Sequence, residues 1–524
     1  MKTALLSCAC RWLAVAFLAV FVLWQGARTA WPYIDSKGAY SYLGAWRSAA
    51  KNAPGERIGL LCNDVGDISP TDRSRMIAIA WERTAMPPLA VDRKGEFGSV
   101  DCVLASAWIS RIEERRLKDC GFAVVSANEY VKTWCRPGVP MASNRGRALS
   151  APLPREIAVL GVEFALTGLL LAFVLGLRGC GIRVLAASIA VAACLGFVAL
   201  SHPLLAPNGL GVYGGKARML LECGGAPDGF WTSSQYAVLQ PSYPPGLTAL
   251  AYFHFLLSGG CGDRLVQFLV VLAMLALCIS LLRKSNRAWG VFPVAAYCLS
   301  PVAVRMSAGF YAEPFAALLL VLGWSALDEG KLRRGALLMG AAALFRLEAA
   351  SVAVAFAAGR CMSRGSISDK LRVMLLAALP GFAWHLVCKA MGCCGPSDWN
   401  FASVPDLGNI ACALSIEAKT LALHVLPIVA MALLVRPLRE LRNAPTLVAS
   451  LASVAFILCT ITIACGFHAS PHSHWMMDNT VPRVLWYVSA IPILCLVSRC
   501  RTAVDSGAAD VVKYADDKSR KDNE

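Results

Sequence analysis

The chain has 524 residues, of which 57% are hydrophobic and 16% charged, and its mean hydropathy is +0.55. That balance excludes a soluble globule and is the composition of a protein that crosses a membrane several times. The net charge of +16 does not indicate nucleic acid, because most Lys and Arg stand in short loops between apolar runs, where they set orientation.

The first segment, residues 1–31, is predicted to be a transmembrane anchor. Met1 to Arg11 is short and basic, and Trp12 to Ala30 is apolar apart from Gln25, Arg28 and Thr29. Arg28 would occupy the −3 place of the only suitable cleavage, before Trp31, where a small residue is wanted; the anchor is therefore read as uncleaved, with its N-terminus in the cytoplasm.

Residues 32–155 have the composition of a small extracytoplasmic α/β domain. RIGLLC (Arg57 to Cys62) and VDCVLASA (Val100 to Ala107) read as buried strands, Asp72 to Ala85 and Ser110 to Cys120 have helical spacing, and FAVVSANEYVKTW supplies another strand or two. Cys62, Cys102, Cys120 and Cys135 leave three full disulfide pairings open, with buried thiols as the other reading.

Residues 156–499 form the all-α transmembrane domain, with hydrophobic runs starting near Ile157, Ile182, Asp263, Trp289, Ala312, Gly335, Leu347, Leu371, Ala418, Thr446 and Arg483. If Tyr243 to Leu257 lies along the outer surface instead of crossing, the basic segments RGCGIR, RKSNR, DEGKLRR, RPLRELRN and SRCRT all face the cytoplasm. The stretch from Gly335 to Arg360 then works as two half-crossings broken at Arg346-Leu347-Glu348, giving about ten full spans plus one broken helix pair. Ser201 to Gly260 is the least regular part of this region, and polar, irregular chain beside a bilayer needs a cavity around it. Residues 500–524 read as a disordered cytoplasmic tail.

NGLGVYGGKARMLL followed by SYPPGLTALAYFHF, then YAEPFAALLLVL, AALFRLEAA and HWMMDNTVPRVLWYV, resembles the GT-C glycosyltransferases, in particular the bacterial branch that includes lipid A aminoarabinose transferases, and is also similar to dolichyl-phosphate-mannose mannosyltransferase-like proteins. The resemblance covers roughly Ile182 to Arg499. It implies a multi-pass protein of the cytoplasmic membrane that moves a sugar from a polyprenyl-phosphate donor to a glycan, lipid or protein acceptor at the extracytoplasmic face. It also implies a first-loop acid, a surface helix opening on Pro-Pro, a second acid at the start of a later span, and basic residues on the lipid phosphate.

On this pattern the catalytic candidates are Glu313, Asp228 and Asn208. Glu313 matches the second acid; Asn208 stands where the first-loop aspartate belongs and cannot act as a general base near neutral pH. Asp228 or Glu222 would then take that role, the alignment is shifted, or activity is lost. Substrate-binding candidates are Lys216, Arg218, Tyr243, Arg346, Glu348 and Arg483. Arg346 carries most weight, since a charge in an apolar helical pair is expensive unless it faces a cavity or partner; pairing with Glu348 is the structural alternative. Arg218 and Arg483 also suit interfacial anchoring, and Tyr243 and Trp231 suit either stacking on substrate or an aromatic belt. Cys465, His468, His472 and His474 have the types for a divalent metal such as zinc, but their spacing fits no closed site, so no cofactor is assigned. The competing functions are a transporter or flippase of lipid-linked saccharides, which calls for matched interrupted helices in two halves, and a catalytically inactive binding protein of the same fold.

Overall fold

A computed structural model describes the chain except for residues 1, 35–36, 63–69, 84–86, 92–96, 141–152, 176–180, 202–207, 263–264, 286–289, 362–365, 394–403, 436–444, 468–472 and 499–524. The apolar N-terminal segment forms one helix, α1 (Lys2–Ile34), packed against the helical bundle. Gly26 permits that approach, because a Cβ there would meet the Leu299 carbonyl oxygen.

The α/β domain begins with α2 (Lys37–Asn52), and its helices α3 (Pro70–Glu82) and α4 (Arg111–Asp119) fall where the spacing predicts them. Ser110 and Glu113 close a reciprocal capping box that sets the start of α4. Strands β1 (Ile58–Leu61), β2 (Leu89–Val91), β3 (Cys102–Ser106), β4 (Ala123–Ala127) and β5 (Val131–Cys135) form a sheet in the order β2-β1-β3-β5-β4. The first three strands are parallel and the last two pairings antiparallel. Of the disulfide pairings left open by the sequence, the sheet selects Cys102–Cys135, because β3 and β5 place those residues directly opposite one another. Cys62 is instead buried, with its thiol near the Leu60 carbonyl. The sequence reading missed α2 and the short strand β2.

The helical domain comprises α5 (Leu153–Leu175), α6 (Ile182–Ser201), α7 (Lys216–Glu222), α8 (Gly246–Ser258), α9 (Phe268–Lys284), α10 (Val291–Cys298), α11 (Pro301–Gly309), α12 (Glu313–Asp328), α13 (Leu332–Ala341), α14 (Ala349–Cys361), α15 (Ile367–Ala390), α16 (Leu407–Thr420), α17 (Leu426–Val435), α18 (Pro445–Cys465) and α19 (Ser473–Val497). Among the described residues, six helices are long and apolar enough to cross a membrane, or seven if the bent pair α10 and α11 is one span. The protein is therefore a mostly helical, multi-pass membrane protein with a small sheet domain.

Several expected boundaries move. The run expected from Ala418 begins at Leu407 and continues through a π-helical turn to Leu434. The last span begins at Ser473, so Arg483 sits about three turns inside it, not at its start. The helices α9 and α12 have 17 and 16 residues, roughly 25 Å each and short of the ~30 Å hydrocarbon core. The break at Arg346 to Glu348 is present, but a second break, with a 47° bend, lies between α10 and α11. Pro301 causes it locally: the residue before a proline is driven out of the helical region, and Ser300 is extended.

The basic loops converge at one end of the bundle. Ser285 forms a β-bridge with Ser498, while Lys284 and Lys331 both bind Glu329 at 2.8 and 2.9 Å. Arg283 to Ser285, DEGKLRR and Ser498 therefore share a side, as the charge bias requires; the rest of RKSNR, RPLRELRN and the first half of RGCGIR lie outside the described residues. The α/β domain sits at the other end, where Trp81 meets Phe255 of α8 edge to face and Gln235 donates to the Pro87 carbonyl at 2.8 Å. With 13 residues, α8 is about 20 Å long and too short to span.

Candidate functional site

At the end of the bundle nearest the α/β domain, two breaks in regular structure and one proline-containing helix place charge in the interior. Phe310, at φ 54°, ends α11 in the left-handed region, and Pro314 then opens α12 with Glu313 in its first turn. The Arg346 turn interrupts the α13–α14 pair, with its amide on the Ala342 carbonyl at 3.0 Å. The third contribution, Arg483, comes from α19 beside Pro482.

These side chains meet. Arg483 Nη1 donates to Glu313 Oε1 at 2.8 Å, and Arg346 Nη1 lies 3.5 Å from that same oxygen. Arg346 also pairs with Glu348, its Nε donating at 2.7 Å. Glu313, Arg346 and Arg483 are 0%, 2% and 4% exposed. Two fully or nearly buried guanidiniums thus share one buried carboxylate, the second carboxylate of the group, Glu348, reaching the surface. Among the described residues, Glu313 Oε2 and Arg346 Nη1 have no hydrogen-bond partner, and neither has the buried Tyr487 hydroxyl.

Aromatic rings line the group. Arg483 lies over Tyr311 at 4.5 Å and Arg346 over Tyr243 at 5.7 Å, each measured to the ring centre. Tyr213, on the π-helical turn Asn208–Gly215, packs edge to face against Tyr243 and Phe310. Lys216 follows on α7, 4% exposed, its Nζ donating to the Gln240 and Tyr243 carbonyls at 3.1 and 3.3 Å. Tyr243 therefore touches Lys216 through its backbone and Arg346 through its ring.

The sequence-predicted residues divide accordingly. Glu313, Arg346, Glu348, Arg483 and Tyr243 come together, with Lys216 alongside. Arg218 is engaged elsewhere, donating to Glu222 at 2.7 Å and lying over Trp81. Asp228 is exposed on the first loop. The Asn208 side chain lies outside the described residues, as do His468 and His472; among those described, no His, Cys, Asp and Glu group has the arrangement for a metal. Sequence reasoning missed Tyr213, Tyr311 and Tyr487, although Tyr311 stands two residues before Glu313 and Tyr213 three before Lys216. It also missed a second buried charge group, in which His254 of α8 meets Glu163 at 3.0 Å and Glu156 at 3.6 Å, both on α5.

The donors of the first group are of a kind suited to anion recognition. Guanidiniums present forked donors that match phosphate or carboxylate oxygens, and charge-assisted bonds are strong where water is scarce. Compared with family models, curated proteins and solved structures, the chain matches none.

Proposed function

We propose that this protein is an integral-membrane glycosyltransferase of GT-C type, moving a sugar from a polyprenyl phosphate to an acceptor hydroxyl at the extracytoplasmic face. The carrying observation is the convergence of Glu313, Arg346 and Arg483 from three distant parts of the chain onto one buried point beside Tyr243 and Lys216.

A sugar on polyprenyl phosphate already has its leaving group, so the protein must orient the acceptor, receive its proton and stabilise the departing phosphate. In this reading Arg346, Arg483 and Lys216 hold the phosphate, and Tyr243 packs on sugar or prenyl chain. Glu313 Oε1 is taken by the two arginines; Oε2 is the oxygen left to accept the hydroxyl proton. Asp228, exposed and outside the cluster, is the lesser candidate.

The test is transfer from a radiolabelled polyprenyl-phosphate sugar in membranes containing the full chain. Transfer that falls with Arg346→Lys and Arg483→Lys, at unchanged protein level, supports the reading. Transfer indifferent to both substitutions overturns it. The second reading, a transporter of lipid-linked saccharide, draws on the bend between α10 and α11, which gives the bundle two interrupted elements. Movement of labelled lipid across vesicles without transfer would favour it.

A further inference from the structure

Where α15 ends, near the first outer loop, the chain makes a Schellman turn. Gly392 takes φ +66°, and the amide of Cys393 bonds to the carbonyl of Cys388 at 2.9 Å. This six-residue closure characteristically brings the side chains at its two ends into contact. Here both ends are cysteine, and the two thiols are hydrogen-bonding neighbours. Cys388 is 9% exposed and Cys393 is partly exposed, so one sulfur is sheltered and the other is reachable.

The same turn braces the candidate site. The Cys388 thiol lies 3.7 Å from the Ser242 carbonyl, which also accepts from Trp384 Nε1 at 2.9 Å. Ser242 immediately precedes Tyr243, whose carbonyl binds Lys216. A second observation concerns the redox compartment: the α/β domain, at this same end of the bundle, carries the Cys102–Cys135 disulfide, and disulfides persist on oxidising sides of membranes.

We infer that Cys388 and Cys393 form a disulfide in the native protein, a covalent clasp on the Ser242 to Tyr243 turn. The electron acceptor is a disulfide of an extracytoplasmic thiol oxidase. The Cys393 thiolate attacks one sulfur of that disulfide, forming a mixed disulfide and releasing the oxidase's other sulfur as thiolate. The Cys388 sulfur gives up its proton and attacks Cys393, and the oxidase leaves as a dithiol. Two cysteine thiols and one disulfide become one cysteine disulfide and two thiols, the mechanism expected of thiol–disulfide exchange. The inference is independent of sugar transfer and rests on the placement of this end of the bundle outside the cytoplasm.

Lys389 makes the test direct. Trypsin cuts between the two cysteines, so the disulfide would join Val373–Lys389 to the peptide beginning at Ala390. Cells expressing the full chain are alkylated before lysis, and the membranes are digested without reductant for fragment mass spectrometry. The expected result is a linked pair with fragments assigning Cys388 to Cys393, lost after reduction and retained in Cys394→Ser. Recovery of both cysteines in the alkylated form overturns the inference, as does a link from Cys388 to Cys394 or Cys412. Failure of sugar transfer with the linked pair present would remove the proposed activity and leave the clasp standing.

Discussion

Arg75 in the α/β domain and Arg483 in the helical bundle are each almost fully buried, and each lies over an aromatic ring at under 5 Å. Arg75 has its own carboxylate: Asp72 is 0% exposed and accepts from Nη1 at 2.8 Å, while Tyr42 accepts from Nε at 2.5 Å. Arg483 shares Glu313 with Arg346, and an oxygen and a nitrogen of that group are left over. A closed pair holds parts of a fold together. A shared carboxylate, with the other acid of the group reaching the surface, gives two buried guanidiniums a single buried countercharge, which is useful when an anion is to be received.

The largest effect is expected on turnover. Glu313→Gln should lower sugar transfer by about a hundredfold to ten-thousandfold, the usual cost of losing a positioned general base, while Asp228→Asn leaves it near the wild-type rate. Initial rates in membranes, corrected for protein level, decide this. Full activity in Glu313→Gln with loss in Asp228→Asn would move the chemistry to the first loop and leave Arg483 with the same structural role as Arg75.

Stability distinguishes the two arginines next. Asp72→Asn leaves Arg75 buried without its carboxylate and should cost about 3–5 kcal/mol, with transfer per folded molecule unchanged. In the bundle, Glu313→Gln should be partly rescued by Arg483→Met, because removing the surplus charge relieves the uncompensated interior by about 1–3 kcal/mol. Thermal unfolding in detergent measures both. If the double variant is no more stable than Glu313→Gln alone, Glu313 is not the countercharge that Arg483 needs.

The smallest effect sharpens what a closed structural charge looks like. Burial pushes the Asp101 carboxyl up, but hydrogen bonds from the Arg57 amide and guanidinium and from the Glu56 amide outweigh it and hold the group below its ordinary value. Stability from a depressed carboxylate is fully present above the unfolded value near 3.9 and is lost as pH falls through the lower folded value. Protection of the β1 and β3 amides, measured as exchange relative to free peptide at the same pH, should therefore fall below about pH 4, by an amount worth about 1 kcal/mol given that Arg57 is half exposed. Asp101→Asn should exchange faster at neutral pH and lose that dependence; an unchanged profile would remove the assignment.

Much of this arrangement was legible because it is written in charge and periodicity. The strands around Leu60 and Leu104, the helix at Arg111–Asp119 and the break at Arg346 all carry local signals. Arg346 announced itself as a charge in apolar surroundings. The break at Ser300-Pro301 carries no charge, and one proline in an apolar run is weak against the hydropathy around it. Burial of Lys216 was equally hidden: its partners are backbone carbonyls, which every residue has, supplied by a turn more than twenty residues away. The boundary before Arg483 shifted because Ser473 to Asn479 is polar enough to read as loop, yet continues the helix.

The 170 residues between Glu313 and Arg483 also set an order of assembly. At the usual pace of a ribosome that interval takes about 10 to 30 seconds to translate. During it Arg346 has both Glu313 and Glu348 as acidic neighbours, so the nascent bundle holds that point one guanidinium to two carboxylates while its apolar helices settle in lipid. The second guanidinium arrives with the closing helix. A chain stopped before Arg483 would be left with one guanidinium between two carboxylates, and the second cation of the group waits on α19.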